Sequence, residues 1–313
     1  MPLQALYDLP APAKLNRFLH VVGRRADGYH LLQSVFVLIA WADHLHLERR
    51  SDGRLIRHDL SAALPADDLC LRAARALQSA SGCGLGVDIS INKQLPWGAG
   101  LGGGSSDAAT TLLALNRLWS LNWPRARLAQ IGLALGADVP FFIAGRSAFV
   151  EGIGERLTAM RVPPSRYAVV KPPTAIATRD IFEHPLLDRN TGTVIITGSP
   201  DDAGNGSGAV SKVIGWPTDW AADFGKNDLQ PAAQDRCPDV AQAAAWLQSR
   251  YGNSRMTGSG SAVFATVSEG NDKKDGTAKT PMATFPLDEL PAGWVGRMCR
   301  GLDEHPLVGW ASD

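Results

Sequence analysis

The sequence predicts an α+β protein. Strand-like and helix-like segments are mixed along the chain, without the strict alternation of strand, helix and strand that builds a parallel sheet. A glycine-rich loop in the first half opens directly into a helical stretch. The longest uninterrupted apolar run, Val35–Ala42, is only eight residues, whereas a membrane-spanning helix needs about 20. A chain of 313 residues has room for two domains. Pro163–Pro164 interrupts the pattern, so a boundary is expected near residue 162, dividing the chain into 1–162 and 163–313.

Taken in order, Val35–Ala42 and Leu45–Glu48 read as strands. Asp67–Ala80 reads as a helix with Leu69, Ala73, Ala76, Leu77 and Ala80 on one face and Gly82 as its stop. Gly86–Asn92 alternates apolar and polar residues as a half-buried strand does. Pro124–Leu135 is a helix with proline in its first turn, with Leu128, Ile131 and Leu135 facing inward. Ser147–Met160 is extended and broken at Gly152 and Gly154, and Tyr167–Lys171 is a new strand. Val240–Gln248 reads as a helix ending before Gly252, with Ala262–Val267 and Trp294–Arg300 as strands. Asp201–Gly208 and Glu269–Lys279 are polar loops. No repeat occurs at solenoid periods.

Composition narrows the function classes. Lys+Arg and Asp+Glu are equal at 31 each, so the basic footprint of a nucleic-acid binder is missing. With 45% hydrophobic and 20% charged residues, the chain is of the soluble globular kind. The opening MPLQALYDLPAPAKLN lacks a basic segment followed by an apolar one, so a cytoplasmic location without membrane attachment is expected. Cys70, Cys83, Cys237 and Cys299 are far apart and read as reduced thiols. His44 and His46 fall on one face of a strand, and two ligands without a third do not make a zinc site.

Pro96–Ser106, PWGAGLGGGSS, carries the chemistry. Five of its eleven residues are glycine: Gly98, Gly100, Gly102, Gly103 and Gly104. Glycines let successive backbone N–H groups converge on one oxygen cluster, and the following helix adds free donors and a partial positive charge. Ser105 or Ser106 is placed to cap that helix, and Ala108, Leu112, Leu115, Leu118 and Trp119 form its buried stripe. A phosphate fits such a loop. No GK[ST] follows, which excludes a Walker A loop. Gly98, Gly100 and Gly103 satisfy a dinucleotide fingerprint, but KQLP separates them from the strand and no second strand with a terminal acid follows at the expected distance. A ligand-free turn and a non-Walker triphosphate loop stay open on the residues alone.

PWGAGLGGGSSDAA resembles the phosphate loop of the GHMP kinases. PAKLN (Pro12–Asn16) and SRMTGSGSAVF (Ser254–Phe264) fit the same family in order. RRADGYHLLQSVF (Arg24–Phe36), LGADVPFF (Leu135–Phe142) and NDLQPAA (Asn227–Ala233) are similar to members that act on a cytidine diphosphate-linked alcohol. The resemblance implies a two-domain α+β kinase, with a ribosomal protein S5 domain 2-like N-terminal part and a ferredoxin-like C-terminal layer. The active site would lie in the cleft between them. It implies ATP with Mg²⁺ as the nucleotide's partner, a small-molecule acceptor, and a monomer or weak homodimer. Asp138 would be the base, although its place ahead of Pro140 also suits a helix cap. Lys14 would stabilise the developing alkoxide charge. Asn16, Thr257 and Gly258 would meet substrate polar groups, with Thr257–Ser261 supplying donors near its phosphates. Tyr29 and His30 would form the cytidine site, with Phe182 on the other side of the base. ATP would be held by Pro96, Trp97, Gly98, Ala99, Gly100, Leu101, Gly102, Gly103, Gly104, Ser105 and Ser106, the two serines reaching phosphate or Mg²⁺. Asp68, where the family usually has Asn, would lie toward adenine, and Lys93 is either near the purine or a strand-end charge. A GHMP kinase for another small alcohol and a catalytically silent nucleotide-binding protein are the alternatives.

Overall fold

Ala5–Arg24 (β1) and His30–Arg50 (β2) form a long antiparallel hairpin on which the other elements are assembled. The computed structural model describes residues 3–61, 63–196, 213–218, 220, 224–267 and 285–313. Both expected loops, Asp201–Gly208 and Glu269–Lys279, lie outside the described residues.

The run Val35–Ala42 is apolar throughout because both faces of the hairpin are covered. Phe36 and Leu38 point into one core with Ala11, Leu112, Leu113 and Phe141. Val35, Val37, Ile39 and Trp41 point into a second core with Ala13, Leu15, Leu95 and Leu101. The pairing register shifts between Pro12 and Ala13, and side-chain parity inverts there. Beyond the shift Leu45 and Leu47 join the first core, although Ile39 and Trp41 belong to the second. Two expected strands are therefore one bulged strand, whose change of phase made it read as two.

Leu55–Asp59 (β3) pairs with Gly86–Asn92 (β4), which pairs with β2. Ala148–Gly152 (β5) and Arg156–Arg161 (β6) extend the sheet from the first part of β2, across from β1. Arg166–Lys171 (β7), Ile214–Gly215 (β8), Arg255–Met256 (β9), Val263–Val267 (β10) and Val295–Leu302 (β11) complete it. The strand order is β8-β6-β5-β2-β11-β7-β10-β9, so β11 is wedged between β2 and β7.

Leu69–Ser81 (α1), Gly103–Leu118 (α2), Arg125–Leu135 (α3) and Val139–Ala144 (α4) supply residues to the first core. Asp68 caps α1, accepting from the N–H groups of Leu71 and Cys70, and Gly82 ends it in the left-handed region. Thr178–Phe182 (α5) is a single turn, while Gln230–Arg236 (α6) and Pro238–Tyr251 (α7) cover β7 and β10 through Leu229, Val240, Leu247, Val170 and Val263. No described helix is long and apolar enough to cross a membrane. All four cysteines are free thiols, and burial pushes that of Cys299 up to about 12.

Residues after β11 fold back onto the first half. The Arg125 guanidinium donates to the carbonyls of Ile143, Val308 and Ala311, and His305 donates its backbone N–H to Gly145. His305 is 1% exposed; its Nδ1 accepts from the Leu307 N–H, which leaves the ring proton on Nε2. Burial, with the charge of Arg125 added, pushes this ring down to about 4 from 6.5. The folded state thus keeps it neutral where the unfolded chain takes up a proton. Its contribution is fully present above pH 6.5 and is lost as pH falls through 6.5 toward 4. The loss is expected to reach roughly 3 kcal/mol, read as the wild-type decline in urea-unfolding free energy beyond that of His305→Asn over the same window.

Candidate active site

The glycine loop lies between β4 and α2 and has almost no side chains with which to anchor itself. Its carbonyls do the work instead: Leu101 accepts from the Lys14 N–H at 2.9 Å, Gly98 from Ser261 at 3.0 Å and Ala99 from Ala262 at 3.2 Å. A Cβ on Gly100, where φ is +72°, would fall 2.2 Å from the Thr257 carbonyl oxygen. Strand β1 and the late loop Thr257–Ser261 thus grip the glycine loop from two sides, at a distance only glycine permits.

α2 starts at Gly103 with Gly102 as its cap residue, and no side chain takes its first N–H groups. The expected serine cap is therefore wrong: Ser105 and Ser106 lie inside the first turn. Ser106 is fully buried and donates its hydroxyl to the Pro12 carbonyl at 2.7 Å, tying α2 to β1. Ser105 faces a cleft of about 400 Å³ with Asp68, Lys93 and Pro96–Gly104. Trp97, 53% exposed, lines the same cleft.

Two residues that line this cleft are already paired within the protein. Asp68 caps α1 and pairs with Arg57 at 2.9 Å. Lys93 directly follows β4. Its ammonium is buried between Asp43 and Asp107, 2.6 Å from the latter. The other Asp43 oxygen accepts the N–H groups of Gln94 and Leu95 at 2.5 and 2.8 Å, fixing the chain as it leaves β4. Burial pushes the Asp107 carboxyl up to about 8 against the pull of Lys93, with the charge of Asp43 adding to the rise. Burial opposes the charge on Lys93, and the two carboxylates outweigh it and hold its pKa above the ordinary value.

On the opposite side of the loop lies a larger cavity of about 1140 Å³. Gly98, Gly100 and Gly102 line both spaces, so the loop backbone is the wall they share. Lys14 reaches this cavity from β1, buried at 4% exposure, with its ammonium 3.5 Å from Asp138. Asp138 stands at the start of α4 but makes no side-chain cap bond, so its carboxylate is left to Lys14 and the cavity. Lys14 also donates to Asn16 at 2.6 Å and lies 4.5 Å from the centre of the Phe36 ring. Asn16 is bound on every side: its oxygen accepts from Gly258 N–H and the Thr257 hydroxyl, and its amide donates to Ser34. It orders the late loop against β1 while lining the cavity.

Tyr29, His30 and Phe182 line the same cavity. Tyr29 is 60% exposed at the tip of the β1–β2 hairpin. Phe182 stacks on the His30 ring, with centroids 4.9 Å apart and planes at 27°. The expected residues therefore fall into two groups: Lys14, Asn16, Tyr29, His30, Asp138, Phe182 and Gly258 around the large cavity, and Asp68, Lys93, Pro96–Gly104 and Ser105 around the small cleft. Thr257 is fully buried between Asn16 and Gly100. Sequence reasoning missed Asp43, Asp107 and Asn227. Asp107 sits inside the quoted loop motif, and Asn227 opens NDLQPAA, where its amide holds the carbonyls of Met256 and Gly258.

Residues 68–146 match the GHMP kinases N terminal domain, and residues 209–278 match GHMP kinases C terminal. A protein of Methylibium petroleiphilum called 4-diphosphocytidyl-2-C-methyl-D-erythritol kinase is 61% identical over 99% of this chain and 100% of its own length. The chain belongs to the 4-diphosphocytidyl-2-C-methyl-D-erythritol kinase family of GHMP kinases. Its relative in Variovorax paradoxus bears the same name at 53% identity, covering 99% of this chain and 100% of its own length. The crystal structure of a 4-(cytidine 5'-diphospho)-2C-methyl-D-erythritol kinase superposes with a TM-score of 0.66 at 33% identity, over 85% of this chain and 91% of that one. This GHMP kinase fold is an α+β fold, and the kinase family implies ATP as a substrate. Gly100→Ala is expected to raise KM for ATP at least about tenfold and to cost roughly 1–3 kcal/mol of stability, because a side chain there is strained at +72° and meets the Thr257 carbonyl. Steady-state kinetics and urea titration check the two effects.

Proposed function

We propose that this kinase transfers the γ-phosphoryl group of ATP to the 2-hydroxyl of 4-diphosphocytidyl-2-C-methyl-D-erythritol, giving the 2-phosphate and ADP in the non-mevalonate route to isoprenoids. The observation that carries this reading is the Lys14–Asp138 pair at 3.5 Å, in a cavity that the glycine loop separates from a second cleft. The nucleotide occupies the small cleft with its phosphates on the loop and the start of α2. The acceptor occupies the large cavity, its alcohol toward Asp138 and its cytidine toward Tyr29, His30 and Phe182.

A tertiary alcohol is a poor nucleophile at neutral pH, so proton removal and charge stabilisation must accompany attack. Asp138 takes the hydroxyl proton as the new oxygen–phosphorus bond forms and the bond from the γ-phosphorus to the bridging oxygen of ADP breaks. Lys14, held in place by Asn16, faces the charge gathering on the attacking oxygen. Uncovered N–H groups at the start of α2 receive charge on the transferring phosphate. Ser105, the hydroxyl at the cleft, would help hold Mg²⁺ beside the nucleotide's phosphates, where the ion would neutralise their charge. The protein works in the cytoplasm as a monomer or weak homodimer of two units that divide near residue 162, with the residues after β11 returned to the first unit.

ADP release with Mg-ATP and a panel of alcohols tests the substrate. Turnover is expected with the cytidine compound and not with mevalonate or homoserine; the reverse would discard this substrate and keep the kinase fold. Asp138→Asn is expected to lower kcat by about 10²- to 10⁴-fold while KM for ATP stays nearly constant. Turnover near wild type in that variant would remove Asp138 from the chemistry.

A further inference from the structure

The large cavity is bounded at its aromatic end by a residue from a stretch with no recognisable motif. Arg189 lies seven residues after Phe182 and 159 residues after His30, and it touches both segments. Its Nε–H donates to His30 Nε2 at 3.3 Å. Its two terminal nitrogens donate to the carbonyls of Leu187, Phe182 and His184 at 3.1, 3.1 and 3.2 Å. Two of these acceptors lie at or just past the end of α5, where helical carbonyls lack intrahelical donors.

We propose that Arg189 is a positioning residue of the nucleoside end of the site, a guanidinium clamp that fixes the His30 ring and anchors the turn carrying Phe182. This deepens the substrate reading given above and rests on it. A guanidinium has only donors, so His30 Nε2 must be its lone-pair nitrogen and the ring proton must sit on Nδ1. No described group hydrogen-bonds to Nδ1, so its N–H remains a donor. Burial lowers the pKa of His30, and the charges of Arg189 and Arg24 lower it further, so the ring is held neutral. A neutral ring of fixed tautomer stacks on Phe182 and presents one defined polar edge.

The clamp holds the Phe182 carbonyl and not its ring. The phenyl group, packed on the third core and stacked on His30, carries no polar tie to the clamp, so its place beside the base is set by its anchored backbone. Arg189 itself lines the cavity, so the wall it builds is also cationic, which suits a ligand bearing a diphosphate.

Two measurements test the clamp. Long-range proton–nitrogen correlation on wild-type protein labelled with ¹⁵N-histidine reads the tautomer directly, the His30 signal being assigned by its loss in His30→Gln. The Nδ1–H neutral form is expected; an Nε2–H form or a charged ring at pH 7 would overturn the proposal, and this readout needs no substrate and no Arg189 variant. Kinetics of Arg189→Met are expected to show KM for the cytidine compound raised roughly tenfold, with kcat and KM for ATP within about twofold of wild type. An unchanged KM for the cytidine compound would overturn the proposal. A wild-type enzyme that phosphorylates a different alcohol and ignores the cytidine compound would instead reject the substrate reading, and with it the nucleoside role of the clamp, whatever the tautomer.

Discussion

The site depends on a loop that must be rigid yet has nothing but backbone to hold it. Glycine brings N–H groups close to an anion, but the same residues lose the most conformational freedom on ordering. Here the cost is met by neighbours rather than by the loop. Leu101 is tied to β1, Gly98 and Ala99 to the start of β10, and the chain leaving β4 to Asp43. The strand that carries Lys14 and Asn16 is also the strand that holds the loop, so the Lys14–Asp138 pair and the loop backbone share one reference frame.

Beneath the loop the charges are arranged to avoid a buried surplus. One ammonium between two carboxylates would leave a net negative charge without water. Burial and the charge of Asp43 raise the Asp107 carboxyl to about 8, which favours its protonated form near neutrality and lessens that surplus. The cluster joins β2, the end of β4 and the start of α2. Its value lies in position more than in net stability, since buried ion pairs barely repay their desolvation.

Much of the fold and of the site could be read along the chain, for reasons visible in individual residues. Gly86–Asn92 was legible because one of its faces is polar and the other buried, so the alternation survives. The first helix was legible through Gly82 and its apolar stripe. β1 was not, because Pro10 and Pro12 interrupt it and its bulge destroys a single phase. Lys14 and Asp138 gained meaning only from motif resemblance, since 124 positions separate partners that meet at 3.5 Å. Asp68 was read toward adenine from the motif resemblance, and Lys93, just before the loop, as a purine neighbour or a strand-end charge; the ion pairs they make with Arg57, Asp43 and Asp107 are tertiary and leave no local pattern. Arg189 was invisible for the same reason.

The wedge of β11 between β2 and β7 bears on how the chain reaches this state during synthesis. The hairpin β1–β2 and its helices can assemble early, and β7 can pair with β10 later. The strand that joins the two halves of the sheet is also the latest in chain order among the described strands, and it meets β2 at Ile39 and Leu38 across some 260 positions. Contacts of such high order are slow to form, and until they do the gap at Leu38–Ile39 of β2 and the facing edge of β7 stand open to other chains. Efficient production would therefore be limited by a late zipping step, and crowding of nascent chains would be felt at those two edges first.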